Sequence, residues 1–234
     1  MSGFVEKGII RVHDHVGPDI WLMQIELPRI AKEAKPGQFV HVKVNDPRYI
    51  LRRPISIAGT NPGKGRVEII YRIVGKGTDA MSHLKVGDTI DCLGPLGTSF
   101  SMDKDHIVGI GGGVGIAPIL FMSRVAKPKQ MTVVIGGRNK EEVFWKDLFP
   151  KTVRQMIVTT DDGSYGIKGF SVSVLPELFG RGLCLRTGHH DENCCPDGQR
   201  RRGILRSIHG TAHGLRHRHL PGLRMRPERR QGPL

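Results

Sequence analysis

The stretch from His106 to Pro118, HIVGIGGGVGIAP, restricts what this chain can fold into more than any other. The apolar run Ile107-Val108-Gly109-Ile110 predicts a strand. Four glycines follow, Gly111, Gly112, Gly113 and Gly115, and Ile116 to Leu120 then open an apolar helical pattern. Pro118 suits the first turn of that helix, where its missing N–H costs nothing. Glycine in such a turn lets the backbone take positive φ and come close to a ligand. The helix start offers unpaired N–H groups and a positive dipole end. The arrangement suits a pyrophosphate, most simply that of a dinucleotide. Taken alone, the same residues also describe a tight strand-to-helix turn that holds nothing.

The flanking sequence differs on the two sides. Before residue 100, period-two runs separated by Gly/Pro turns predict strands at Ile9–Val12, Ile20–Leu27, Phe39–Val44, Ile55–Ala58, Val67–Val74 and Thr89–Leu93, with a short helix over Thr78–Leu84. Many short strands over about a hundred residues suggest a small antiparallel barrel. After it, strand 107–110, helix 117–126, strand Met131–Gly137, a helix around Lys140–Leu148 and strand Met156–Thr160 alternate as in a doubly wound parallel sheet. The fold class expected is therefore a β barrel plus an α/β domain, over residues 1–100 and 101–181, joined near Phe100–Lys104.

The net charge of +14 invites a nucleic-acid reading, but residues 181–234 carry twelve Arg, no Lys and four acids, so +8 of it belongs to the last 54 positions. No apolar run reaches the roughly 18 residues a membrane helix needs. The N-terminus lacks the basic start and apolar core of a signal peptide, so the expected location is cytoplasmic with no membrane partner. Cys92, Cys184, Cys194 and Cys195 do not form a disulfide framework.

Two further clusters bear on function. Arg53-Pro54-Ile55-Ser56 opens a barrel strand with a guanidinium suited to bidentate phosphate pairing and a hydroxyl donor. Tyr71-Arg72-Ile73-Val74-Gly75-Lys76-Gly77-Thr78 ends a strand in a Gly-rich turn before a helix. For single residues the plain alternatives are Arg53 as a solvated charge and Tyr71 as barrel core. RPIS, YRIVGKGT, GPLGTSF and GGGVGIAP, at these separations and followed by TDDGSYGIKGF, resemble the ferredoxin–NADP reductase superfamily. Within it they are similar to the electron-transfer subunits of NAD-linked dihydroorotate dehydrogenase, from about residue 4 to about residue 180.

The resemblance implies that Arg53, Pro54, Ile55 and Ser56 hold the pyrophosphate and flavin of FAD. It implies that Ile70, Tyr71 and Arg72 line the flavin from the next strand, that Gly77 and Thr78 hold a phosphate, and that Gly111, Gly112, Gly113 and Gly115 pass the NAD. It implies an FMN-containing dihydroorotate dehydrogenase catalytic subunit as partner, in a heterotetramer, and electron transfer from FMN through FAD to NAD in pyrimidine biosynthesis. No protein nucleophile or general acid is required, so no catalytic residue is assigned. The alternatives are a ferredoxin–NADP oxidoreductase-type subunit and, from another class, a basic nucleic-acid-binding protein. NADP needs basic residues for its 2′-phosphate. Arg138 is the candidate, but a single Arg near a turn leaves the expectation at NAD.

Such subunits also end in a cysteine-rich segment that ligates a [2Fe–2S] cluster. The chain as written has none, and no metal ligand is assigned: His189, His190, Cys194 and Cys195 are adjacent pairs with poor tetrahedral spacing. A frame moved forward one nucleotide, with wobble bases left open, lets Gly182 to Cys195 encode V-Y-A-C-G-P-D-I-M-M-K-T-V-A. In that frame His209 to Met225 encode M-E-Q-R-M-A-C-G-I-G-T-C-L-G-C-V-C, which carries the C-x4-C-x2-C spacing of the cluster loop. Residues 182–234 are accordingly read as a frameshifted basic tail, expected to be disordered; the nucleotide domain over 101–181 is then incomplete, and the polypeptide is expected to bind FAD weakly, assemble poorly and carry no cluster. High-coverage sequencing of the gene from codon 160 past the stop is expected to show a base missing or extra between about codons 165 and 181. An unaltered frame overturns that reading.

Overall fold

The structure, a computed structural model, describes residues 3–44, 48–175 and 178. The expectations for 182–234 lie outside those residues. Six strands close a barrel in the order β1-β2-β5-β4-β3-β6: β1 Phe4–Gly17, β2 Ile20–Glu26, β3 Phe39–Lys43, β4 Arg53–Asn61, β5 Arg66–Arg72 and β6 Thr89–Leu96. All pair antiparallel. Helix α1 (Pro28–Glu33) follows β2, and α2 (Lys76–Ser82) follows β5. Alternation along the strands sends Ile10, Met23, Ile25, Val40, Val42, Val67, Ile69 and Ile90 inward, where all are fully buried. Each contributes on the order of 1.5–3 kcal/mol by leaving water.

The other face of β2, β4 and β5 is apolar as well. Ile20, Leu22, Ala58 and Ile70 join Ile116, Ala117, Leu120, Val133, Ile135 and Trp145 in a second core. That core is shared with a four-stranded sheet in the order β10-β9-β8-β7, built from β7 (Ile107–Gly112), β8 (Met131–Gly137), β9 (Gln155–Thr160) and β10 (Ile167–Lys168), all parallel. Helix α3 (Ala117–Val125) crosses from β7 to β8 and lies against β4. Among the described residues successive strands are added in one direction. A polar bond reinforces the apolar seam: Arg124 of α3 pairs with Glu68 of β5 at 2.6 Å, and the same carboxylate accepts from Gln24 Nε2 at 3.0 Å.

Several element bounds differ from the sequence reading. Strands β1, β4 and β6 are longer because pairing carries them past their apolar runs, and β7 continues through Gly111 into Gly112. Helix α2 begins at Lys76, two residues early, since Gly75 and Thr78 form its cap. The helix expected at Lys140–Leu148 is 3-10 in geometry and kinked at Val143. Val143 and Trp145 are both buried there, a spacing an α-helix cannot direct to one side.

Because Glu68 is only 9% exposed, Arg124→Ala strands a buried carboxylate with one amide donor. The variant is expected to lose about 2–3 kcal/mol of unfolding free energy in urea titrations. An unchanged midpoint would show that the pair is solvated.

Candidate cofactor site

The site begins with a ladder that stops. β4 and β5 pair from Asn61–Arg66 up to Ile57–Ile69 and no further. Carried on, the register would set Ser56 opposite Ile70, Ile55 opposite Tyr71 and Pro54 opposite Arg72. Instead Arg53 to Ser56 pair only with β3, and Ile70 to Arg72 only with β2. Pro54 has no N–H to offer the missing ladder. The strands therefore splay into a slit at one end of the barrel, its lips being RPIS and Ile70-Tyr71-Arg72. Backbone edges without a ladder partner are available to a ligand.

Beyond the slit, the first turn of α2 and Arg53 come together. Gly77 is buried, and a Cβ there would overlap the Arg53 guanidinium. Arg53 Nη1 donates to the Leu51 carbonyl. The amides at the start of α2 have no intrahelical acceptor. The Thr78 hydroxyl does not point out with them. Its Oγ1 accepts from Val74 N at 2.9 Å and Gly75 N at 3.3 Å, and donates to Gly75 O at 3.0 Å. Thr78 thus shapes the turn, and the cationic face beside the slit is Arg53 with the helix start.

The three residues of the second lip point different ways. Ile70 packs into the shared core. Tyr71 is in the barrel core, 2% exposed, so only its backbone borders the slit. Its hydroxyl meets His13 Nε2 at 2.8 Å, and His13 Nδ1 meets the Leu84 carbonyl at 2.8 Å. A carbonyl only accepts, so a neutral His13 donates through Nδ1 and accepts the Tyr71 proton at Nε2. Burial pushes the Tyr71 hydroxyl well above the usual tyrosine range. Arg72 reaches across to the other sheet, with Nη2 at 3.5 Å from Glu142 Oε1, while its Nε is buried without a hydrogen-bond partner among the described residues.

The glycine turn stands at the carboxyl end of β7. A Cβ on Gly111 would sit 2.7 Å from Ile119 Cδ1, so its absence lets α3 close on the strand. Gly113 takes φ +54°, and nothing fills the space before it. Gly112 is exposed, and Gly115 is buried in the 3-10 turn Gly113–Ile116 that leads into α3. Ile116 and Ile70 share one core, which sets this turn against the slit strand.

Sequence reading missed Glu142. It is 8% exposed and lies in the turn after β8. Its Oε2 accepts from Arg138 N at 3.0 Å, and its Oε1 accepts from Arg138 Nε at 2.8 Å and from Nη2. Arg138 holds its carboxyl below the ordinary range, against the opposing effect of burial. The four-residue spacing of Arg138 and Glu142 was the available signal. A cavity of about 300 Å³ between Gln24, Asn61, Lys64, Arg66 and Arg124 lies at the far end of the β4–β5 hairpin, away from the slit.

Among the described residues no group of three His, Cys, Asp or Glu could hold a metal ion. Cys92 is the described cysteine, and burial first, with the Asp91 charge second, pushes its thiol up to about 12. A cluster needs thiolates, so Cys92 does not fit one. No described helix is long and apolar enough to cross a membrane.

Above about pH 10 the unfolded chain loses the Tyr71 proton and the folded chain keeps it, so stability falls as pH rises. Between pH 10 and 11 wild type is expected to lose about 1 kcal/mol more than Tyr71→Phe in urea unfolding. Parallel losses in the two proteins would contradict the buried hydroxyl.

The profile of the oxidoreductase FAD-binding domain family matches residues 7–100. The dihydroorotate dehydrogenase B (NAD(+)) electron transfer subunit of Desulforamulus reducens is 39% identical over 188 residues, covering 77% of this chain and 69% of that protein. Its counterpart from Fusobacterium nucleatum is 35% identical, covering 74% and 70%. The solved NADH-dependent reduced ferredoxin–NADP oxidoreductase superposes with a TM-score of 0.66 at 32% identity, over 74% of this chain and 63% of that one. The barrel, the parallel sheet and these similarities agree: the chain belongs to the family of dihydroorotate dehydrogenase B electron transfer subunits.

Proposed function

We propose that this chain is the electron-transfer component of an NAD-linked dihydroorotate dehydrogenase, passing electrons from an FMN-containing catalytic subunit through FAD to NAD, in a heterotetramer that serves pyrimidine biosynthesis. The observation that carries the reading is the parting of β4 from β5 beside Arg53 and the start of α2. A flat ring system needs a slot with hydrogen-bonding edges, and its pyrophosphate needs a cation and free amides. Both needs are met within a few residues, and the glycine turn of the second sheet abuts the same strand.

On this reading residues 1–100 are the FAD-binding domain and 101–181 the nucleotide-binding domain. Arg53 and the amides around Gly77 hold the FAD pyrophosphate. Ser56 and the backbone of Ile55, Ile70 and Tyr71 orient the ring between the lips, with Pro54 and Arg72 at its ends. Gly111 to Gly115 leave room for the dinucleotide phosphates to approach the backbone. Bound there, FAD supplies the exchange between single-electron carriers and hydride transfer. The chain's part is to place two rings together and keep water from between them. The shared core does this by fixing Ile116 against Ile70.

The reading is tested by reconstituting the full chain with FAD and following the flavin absorbance. FAD in excess is expected to bind, weakly in a chain whose nucleotide domain is incomplete, and to be reduced by NADH without oxygen. Arg53→Ala is expected to weaken FAD binding by about 10–100-fold, the loss of one charge-assisted pair. No binding of FAD in excess, or an Arg53→Ala variant that binds it as wild type does, overturns the assignment.

A further inference from the structure

The proposed reading leaves one charge cluster unused. Arg138 follows directly on β8, the second strand of the parallel sheet, beside the glycine turn: Gly136 pairs with Gly112. In dinucleotide-binding sheets a carboxylate near the end of the second strand reads the adenosine ribose 2′-hydroxyl, and an Arg there accommodates a 2′-phosphate. Here both residue types are present, and each occupies the other. The Arg138 side chain is 73% exposed and is laid along a carboxylate that is itself buried.

Glu142 is held in place from several sides. Its own amide is capped by Asn139 Oδ1 at 3.2 Å, its Oε2 accepts the Arg138 amide, and Arg72 approaches its Oε1 from the barrel. For Arg138 to turn to a 2′-phosphate, a two-point charge pair must break. Glu142 would keep the Arg138 backbone amide and the 3.5 Å approach of Arg72, and its charge would face the phosphate. The remaining charges around the turn do not reverse this. Asp161 acts on Arg138 with negative charge, Asp162 is engaged with Ser164, and Lys140 is exposed two residues on.

We propose that Glu142 is the residue that selects the dinucleotide: by occupying Arg138 it denies a 2′-phosphate its cation and reserves the site for a ribose with a free 2′-hydroxyl. The same carboxylate touches Arg72 on the lip of the cofactor slit, so the selecting residue and the slit strand are tied together. This inference rests on the dinucleotide reading of the glycine turn.

The test uses probes that need no flavin reduction: ADP-ribose and 2′-phospho-ADP-ribose, titrated calorimetrically into the full-length protein. Wild type is expected to prefer ADP-ribose by about tenfold or more. Glu142→Gln keeps the shape and removes the charge. It is expected to improve binding of the 2′-phospho probe, narrowing the preference by about tenfold, and adding Arg138→Ala in that background is expected to cancel the gain. Arg138→Ala alone, which leaves the Glu142 charge unpaired, is expected to give no gain for the 2′-phospho probe, and Glu142→Ala repeats the charge removal should Glu142→Gln fold poorly. An unchanged preference in Glu142→Gln, or a gain of 2′-phospho binding in Arg138→Ala alone, overturns the selection by Glu142 and leaves the dinucleotide site standing. Absence of binding of either probe to wild type overturns the site and the inference together.

Discussion

Everything that can be said about a site here depends on one apolar seam. The outer faces of β2, β4 and β5 carry Ile20, Leu22, Ala58 and Ile70, which a freestanding barrel would expose to water. They are covered by Ile116, Ala117 and Leu120, the residues that leave the glycine turn and begin α3. The hydrophobic effect has no direction of its own, but here it has a geometric result. The segment that covers the barrel is also the segment that ends the glycine turn, so burying the seam delivers the turn to the slit. The Arg124–Glu68 pair then fixes the rotation of the helix on the strands.

Within that frame the slit is a local failure of pairing that the barrel tolerates. The ladder between β4 and β5 is intact at the hairpin end and absent at the other. The closed ring keeps its six members because each lip retains its outer neighbour, β3 on one side and β2 on the other. The open backbone edges are thereby held from behind, which is stiffer than edges carried on a loop. The side chains of the second lip are then released for other work: Ile70 for the seam, Tyr71 for the barrel core through His13, Arg72 for the contact with Glu142.

Much of this was legible in the sequence, and the parts that were not share a cause. Period-two runs gave the barrel strands, and the strand–glycine–helix order of 107–120 gave the parallel sheet, because both patterns are set by burial along one element. Arg53 and Gly77 were both singled out, and their meeting follows from strand and helix geometry. What sequence could not supply was decided between elements. For Tyr71 the sequence left the flavin side and the barrel core both open; the side chain lies in the core, and its partner His13, fifty-eight positions away, is beyond the reach of a local pattern. The resemblance placed Thr78 at a phosphate, and its hydroxyl is engaged by amides of its own turn. The helix expected at 140–148 is 3-10 and broken by a kink at Val143, which no period in the sequence marks. Glu142 passed as one acid among several in an exposed-looking turn, and only its burial against Arg138 and Arg72 gives it a role.

The contact between Arg53 and Gly77 has a consequence for how such chains can change. The guanidinium occupies the volume that any side chain at position 77 would need. A larger residue there would not merely crowd the helix start; it would evict the cation from the slit. Conversely, a shorter residue at 53 would leave a void over Gly77 and remove the reason for glycine. The two positions, on different elements and in different motifs, are thereby coupled: a side chain at 77 and the present placement of the Arg53 guanidinium exclude each other.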